Sequence, residues 1–136
     1  MTSKRVIIDT NLWISFLISS NYSDLDRLLK SGRVRLIFSD ELIEEFLLVA
    51  GRPKLKKFFH QKDLNTLLDI FDEYAELVEV KSDIQLCRDV KDNFLLNLAV
   101  DGGIDFLITG DKDLLILGHV EKIPIITYNQ FIDLTQ

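Results

Sequence analysis

Short β-branched runs alternate along the chain with longer stretches in which apolar residues recur every three or four positions. Arg5 to Asp9 (RVIID) is apolar through its middle and closes on a carboxylate, as a buried parallel strand does at its carboxyl end. Leu12 to Ile18 and Leu25 to Lys30 have helical spacing, are joined through Ser19-Ser20-Asn21, and stop at Gly32. Val34 to Phe38 reads as a second strand. Ser39 is placed to cap a helix running to about Ala50, with Asp40 and Glu41 in its first turn and Gly51 and Pro53 at its end.

From Asp63 to Glu76, Leu64, Leu67, Leu68, Phe71 and Ala75 mark one face of a helix. Leu77 to Val80 then predicts a short strand. Asp92 to Val100 predicts a helix with Phe94, Leu95, Leu98 and Ala99 inward, ended by Gly102-Gly103. Ile104 to Thr109 is a third clear strand, and Pro124 to Tyr128 a fourth, before a short helix near Phe131. This alternation predicts an α/β fold, a three-layer α/β/α sandwich around a mostly parallel sheet, with residues 1–136 as a single domain. The apolar runs Phe106 to Ile108 and Leu114 to Leu117 are too short to span a bilayer. The amino terminus runs directly into a strand, so no leader peptide is expected.

Composition narrows the classes further. With 136 residues, 47% hydrophobic and 28% charged, the chain has enough apolar mass for one core and is not of disordered type. Cys87, the one cysteine, has no internal partner, which suits a reducing cytoplasm, and a small buried hydrophobe needs no further role. Acidic residues outnumber basic ones by 22 to 16, for a net charge of -6. That argues against holding nucleic acid by bulk charge. Carboxylates that gather bound cations restore positive charge locally, so an acidic enzyme acting on nucleic acid remains open.

In sheets of this kind ligands collect outside the carboxyl ends of the strands. Asp9 ends the first strand. Thr109-Gly110-Asp111 follows the third, with Asp113 close behind, and Asp92 begins the helix before that strand. Glu44 and Glu45 lie on the helix after the second. Acids brought to one edge repel one another, and a hard divalent cation with oxygen ligands relieves the repulsion. Each residue also has an ordinary reading. Asp9, Asp92 and Asp111 could be helix caps, Glu45 an exposed helix residue, and Thr10 and Asn11 turn formers. Asp89 reads as solvated, and His60 and His119 as surface residues. Arg52, Lys54, Lys56 and Lys57 are the densest basic stretch, read equally as a solvated loop or as a contact for phosphates.

Asp9-Thr10-Asn11, Arg52-Pro53-Lys54-Leu55, Asp92-Asn93-Phe94-Leu95 and Thr109-Gly110-Asp111-Lys112-Asp113-Leu114-Leu115 occur in that order. Together they resemble the PIN-domain family, in its prokaryotic branch of toxin components of toxin–antitoxin pairs, over about Val6 to Phe131. The resemblance implies cleavage of RNA that depends on magnesium or manganese, with one or two ions. A metal-activated water would attack, and no protein nucleophile is needed. It places the four acids at Asp9, Glu45, Asp92 and Asp111, and selects Glu45 over the alternative Glu44 by its spacing of seven residues before Arg52. Asn11, Thr109 and Asp113 take supporting positions. A homodimer and a small antitoxin partner are implied with them. Val90 departs from the branch, which often has proline there.

Other classes fit less well. A catalytically silent PIN domain that binds RNA or protein is the main alternative. Phosphoryl transfer through an aspartyl nucleophile commonly needs a second Asp where this chain has Asn11. A nucleotide-binding fold lacks its glycine-rich loop, because Gly102-Gly103 precedes a strand instead of opening a helix.

Overall fold

Val6, Ile7 and Ile8 are almost fully buried, which requires apolar cover on both faces of the strand that carries them. The computed structural model, which describes residues 3–87 and 92–135, places that strand, β1 (Lys4–Ile8), inside a six-stranded sheet. The others are β2 (Val34–Phe38), β3 (Ala75–Leu77), β4 (Phe106–Ile108), β5 (His119–Val120) and β6 (Ile123–Ile126), in the order β3-β2-β1-β4-β6-β5. All neighbouring pairs are parallel except β5–β6. The helices flanking the sheet are α1 (Thr10–Ser19), α2 (Ser23–Lys30), α3 (Asp40–Ala50), α4 (Pro53–Lys56), α5 (Gln61–Tyr74), α6 (Asn93–Asp101), α7 (Lys112–Leu117) and α8 (Tyr128–Thr135). This is the expected sandwich on a mostly parallel sheet. No helix among the described residues is long and apolar enough to cross a membrane.

From β1 the chain first moves outward to β2 and β3, then returns to lay β4 on the other side of β1. The order therefore reverses between β1 and β4. Their carboxyl ends are in register, Ile8 opposite Ile108, so Asp9 and Thr109 emerge side by side. A crevice opens at such a reversal, because the chain leaves the two strands in opposite directions.

An aromatic cluster holds α1, α3 and α5 against the β1–β2 half of the sheet. Trp13 stacks on Phe38 at 6.1 Å and meets Phe71 edge-on at 4.7 Å. Phe71 also packs on Phe38 and Phe46. These rings, all nearly or fully buried, fix the start of α1 immediately after Asp9.

Several boundaries differ from expectation for identifiable reasons. Helix α5 stops at Tyr74 and β3 begins at Ala75, two residues before the predicted strand, because Ala75, Glu76 and Leu77 pair with Leu36, Ile37 and Phe38. Glu76 then lies between two guanidinium groups, 2.7 Å from Arg5 and 3.2 Å from Arg35. Pro53 opens α4 at its first position, where a missing N–H costs nothing. Both α7 and β5 are too short to leave a periodic signal. In α6, Leu96 is buried and Phe94 only half-buried, which shifts the predicted inner face.

Before α6, residues 78–87 form no regular element but are strapped to that helix. Asp101 accepts hydrogen bonds from the backbone N–H groups of Lys81 and Ser82 and from the Ser82 hydroxyl. Asn97 accepts from Ile84 N–H and Asn93 from Cys87 N–H. Residues 93, 97 and 101 are four apart, so one polar stripe on the helix satisfies the irregular backbone opposite. Asp89 and Val90 lie outside the described residues.

Gly102 has an ordinary φ of −80°, so its requirement is space. An added Cβ would stand 2.8 Å from the Leu98 carbonyl oxygen and 3.0 Å from Ile37 Cγ2. Gly102→Ala should destabilise the protein by about 1–3 kcal/mol, the usual range for overpacking, as read from the denaturant midpoint. Gly110 has open space around its Cα, and Gly110→Ala should stay within about 0.5 kcal/mol of the parent.

Candidate active site

Asp9 occupies the N-cap position of α1 but makes no side-chain cap hydrogen bond there. Its carboxylate turns instead across the β1–β4 crevice, where Oδ2 accepts a 2.7 Å hydrogen bond from the Thr109 hydroxyl. Asp9 is 5% exposed and Thr109 fully buried, so the contact is shielded from solvent. The Thr109 oxygen also accepts from the Asp111 N–H at 3.0 Å. One threonine thereby orients an acid on each side of the crevice. Oδ1 of Asp111 accepts from Asp113 N–H at 2.8 Å and caps α7. The capping role considered for Asp111 is therefore real, and it uses one of the two carboxylate oxygens.

Glu45 approaches from α3. It is half-buried, and its Oε2 is enclosed without a hydrogen-bond partner, as is Oγ1 of the fully buried Thr10. The two groups are close enough for the hydroxyl to favour the charged form of Glu45. Glu44, one residue earlier, is exposed. The helix turn thus directs Glu45 and not Glu44 toward Asp9.

The charges are coupled. Burial pushes the Asp9 carboxyl above the ordinary aspartate range; the Thr109 hydroxyl pulls it down and the negative charge of Asp111 pushes it up again, with the N–H groups of Thr10 and Asn11 opposing weakly. Burial raises Glu45 as well, the charge of Asp9 adds to this, and the Thr10 hydroxyl and Arg52 partly offset it. Among the described residues no lysine or arginine forms an ion pair with Asp9, Glu45 or Asp111.

Asp92 stands directly before α6 and does not cap its first turn through its side chain. A helix that precedes a parallel strand runs back against it, so the start of α6 belongs at the carboxyl edge of the sheet. There the Asp92 carboxylate is 4.0 Å from the sulfur of the buried Cys87. Asn11 is exposed, and Asp113 is half-buried on the first turn of α7. Arg52, Lys54, Lys56 and Lys57 are all exposed on and around α4, with the Lys57 ammonium 5.5 Å above the Phe58 ring. His60 and His119 are exposed and distant in role: the first precedes α5, and the second bonds to the Glu121 carbonyl.

Among the described residues no three or more His, Cys, Asp or Glu side chains stand close enough to hold a metal ion between them. The Asp9–Asp111 and Asp9–Glu45 couplings are two sides of a ring that is not closed. The donor set still fits a hard divalent cation. All the donors are carboxylate oxygens, Oε2 of Glu45 is enclosed without a hydrogen-bond partner, and among the described residues no ion pair neutralises Asp9, Glu45 or Asp111. Closing the ring requires the side chains to draw together. Thr10 and Thr109, a turn former and a supporting residue by sequence, both act on the acids in the structure: Thr109 donates to Asp9, and the Thr10 hydroxyl acts on Glu45. The signal available was a threonine beside Asp9 and another two residues before Asp111.

Residues 5–113 match the family model described as PIN domain. An uncharacterized protein of Methanocaldococcus jannaschii, MJ1680, is 31% identical over 122 residues, covering 87% of this chain and 77% of the relative. The PIN domain of human SMG5 superposes with a TM-score of 0.54 at 12% identity, over 97% of this chain and 99% of that one, a likeness of fold alone. The match over residues 5–113, most of the chain and including Asp9, Glu45, Asp92 and Asp111, carries the assignment: this chain belongs to the PIN-domain family.

Proposed function

We propose that the chain is a metal-dependent endoribonuclease that hydrolyses RNA phosphodiester bonds, and that it serves as the toxin of a toxin–antitoxin pair. The observation that supports this most directly is the buried Asp9 carboxylate at the β1–β4 reversal, coupled to Asp111 and Glu45 and without a described cationic partner. Asp9, Glu45, Asp92 and Asp111 would hold magnesium or manganese. A cation held there would supply positive charge near the scissile phosphate and would lower the pKa of water so that it could attack as hydroxide near neutral pH.

The chain's own residues prepare that site. Thr109 orients the Asp9 carboxylate through a hydrogen bond to Oδ2. The Asp113 N–H does the same for Asp111. Residues that orient the ligands of a metal site typically contribute about 10–100-fold to its affinity or activity. Arg52, Lys54, Lys56 and Lys57 would meet phosphates of the bound strand beyond Glu45. The toxin role, a small antitoxin partner, a homodimer and a cytoplasmic location rest on the family resemblance.

A silent PIN domain that only binds RNA or protein predicts no cleavage under any metal. With manganese and a mixed RNA pool, the wild type should cut. Thr109→Val should lose about 10–100-fold, the range for residues that orient ligands, and Asp9→Asn and Asp111→Asn should lose more. Cleavage by either Asn variant at the wild-type rate would remove these residues from the site.

Stability provides an independent test. For a carboxyl whose folded pKa is raised, the favourable contribution is complete below the unfolded value, about 4, and is lost as pH rises through the raised folded value. At pH 7 without metal, Asp9 and Glu45 therefore oppose folding. Asp9→Asn should stabilise the chelated protein at pH 7 by about 0.5–2 kcal/mol, the scale for relieved functional sites, and should gain little near pH 4. Manganese should raise the midpoint of the wild type more than that of the variant. Paired denaturation curves in chelator and in manganese, at both pH values, measure this; a variant less stable than wild type at pH 7 in chelator would contradict it.

A further inference from the structure

Beside the acids, between α1 and the start of α8, lies an open cavity of about 340 Å³. Its wall includes Thr109 and Gly110, the same turn that orients Asp9 and Asp111. A second cavity of about 410 Å³ continues it past Asn21, Tyr128 and Asn129, which line both. Resting on the nuclease reading above, we propose that this groove is a binding site for an unpaired nucleobase, which seats the nucleotide next to the scissile phosphate.

The lining excludes the other parts of a nucleic acid. No lysine or arginine lines either cavity, and the far one carries Asp24 and Asp133. A phosphate would meet neutral groups first and like charge next. What the groove presents is an aromatic ring among uncharged donors and acceptors: Tyr128 with Ser19, Asn21 and Asn129. A nucleobase is flat, neutral at pH 7, and has hydrogen-bonding edges, so it matches that lining where a phosphodiester does not. The Tyr128 ring is half-buried and meets Phe16 at 4.9 Å, edge-on, so its orientation is set before a ligand arrives. Burial and the neighbouring Asp24 charge keep its hydroxyl protonated. The volume suits one base with its ribose, at the small end of ligand pockets.

The two flanks of the acids differ in the same sense. Arg52, whose charge acts on Glu45, stands immediately before α4 and its lysines on the β2 side, whereas the groove lies on the β4–β6 side. A strand crossing the acids would thus have its backbone over the basic flank and one base in the neutral groove. A base still paired within a duplex could not enter, so the nucleotide seated there is unpaired when bound, whether the substrate is single-stranded or gives up that base from a helix.

The test uses the full chain carrying Asp9→Asn, to prevent cutting, and labelled single-stranded RNA octamers in which one nucleotide at a time lacks its base. Affinity is read by fluorescence anisotropy. One position should be sensitive, losing about ten-fold or more when its base is removed, on the scale of base–aromatic stacking. Adding Tyr128→Leu should abolish that sensitivity. Asn129→Leu, at an exposed position where folding is not at stake, should weaken it. A flat scan, or a sensitive position that both groove variants leave unchanged, overturns the proposal. Cleavage by the wild type with manganese is measured separately. Cutting with a flat scan removes the groove and leaves the nuclease, whereas a sensitive position without cutting does the reverse.

Discussion

A carboxylate placed at the end of a central parallel strand has lost most of its water and must be compensated from within the protein. Here the largest compensation is the hydrogen bond from the Thr109 hydroxyl to Asp9, made across the gap where the strand order reverses. It is incomplete. Burial still raises the Asp9 carboxyl, and Asp111 and Glu45 add to the charge around it. The rest of the architecture holds that strained electrostatic arrangement in place. The aromatic cluster fixes the entry to α1, the β1–β4 register brings Asp9 beside Thr109, and the Asp113 N–H orients Asp111. A fold that only needed stability would have no reason to gather these acids, since replacing one by its amide would relieve them.

The site is also asymmetric. On the side of β2 stand Glu45, Arg52 and the α4 lysines; on the side of β4 and β6 stand neutral hydrogen-bonding groups and the Tyr128 ring. This asymmetry matches the two parts of a nucleotide, an anionic backbone and a neutral base, on opposite flanks of one acidic centre. On the proposed reading, an acidic chain can act on a polyanion because the positive charge needed is local and need not come from the surface as a whole.

Much of this was legible before any coordinates. Strand β2 and helix α3 with its Ser39 cap are where the apolar pattern puts them, because a buried strand and a well-capped amphipathic helix leave strong local signals. Asp9 and Asp111 are marked by their place at strand ends. The preference for Glu45 over Glu44 came from resemblance, and the turn of α3 supplies a physical reason for it. What was not legible depends on contacts distant in sequence. Strand β3 starts two residues early because β2 pairs with it. The Asn93–Asn97–Asp101 stripe is visible as a period of four, but its partners in residues 81–87 carry no signal of their own. The groove joins α1 to the Thr109-Gly110 turn and α8, which come about a hundred residues later in the chain, and only the sheet order brings them together.

The central claim is that the carboxylates around Asp9 form the protein side of a cation site. Crystals of the wild-type protein soaked in manganese and measured at the metal's absorption edge test it most directly. The account predicts an anomalous peak within coordination distance of Asp9, with Asp111, Glu45 or Asp92 drawn in toward it, and no peak there in Asp9→Asn. An empty crevice at saturating manganese, or a peak that ignores Asp9 altogether, would contradict it.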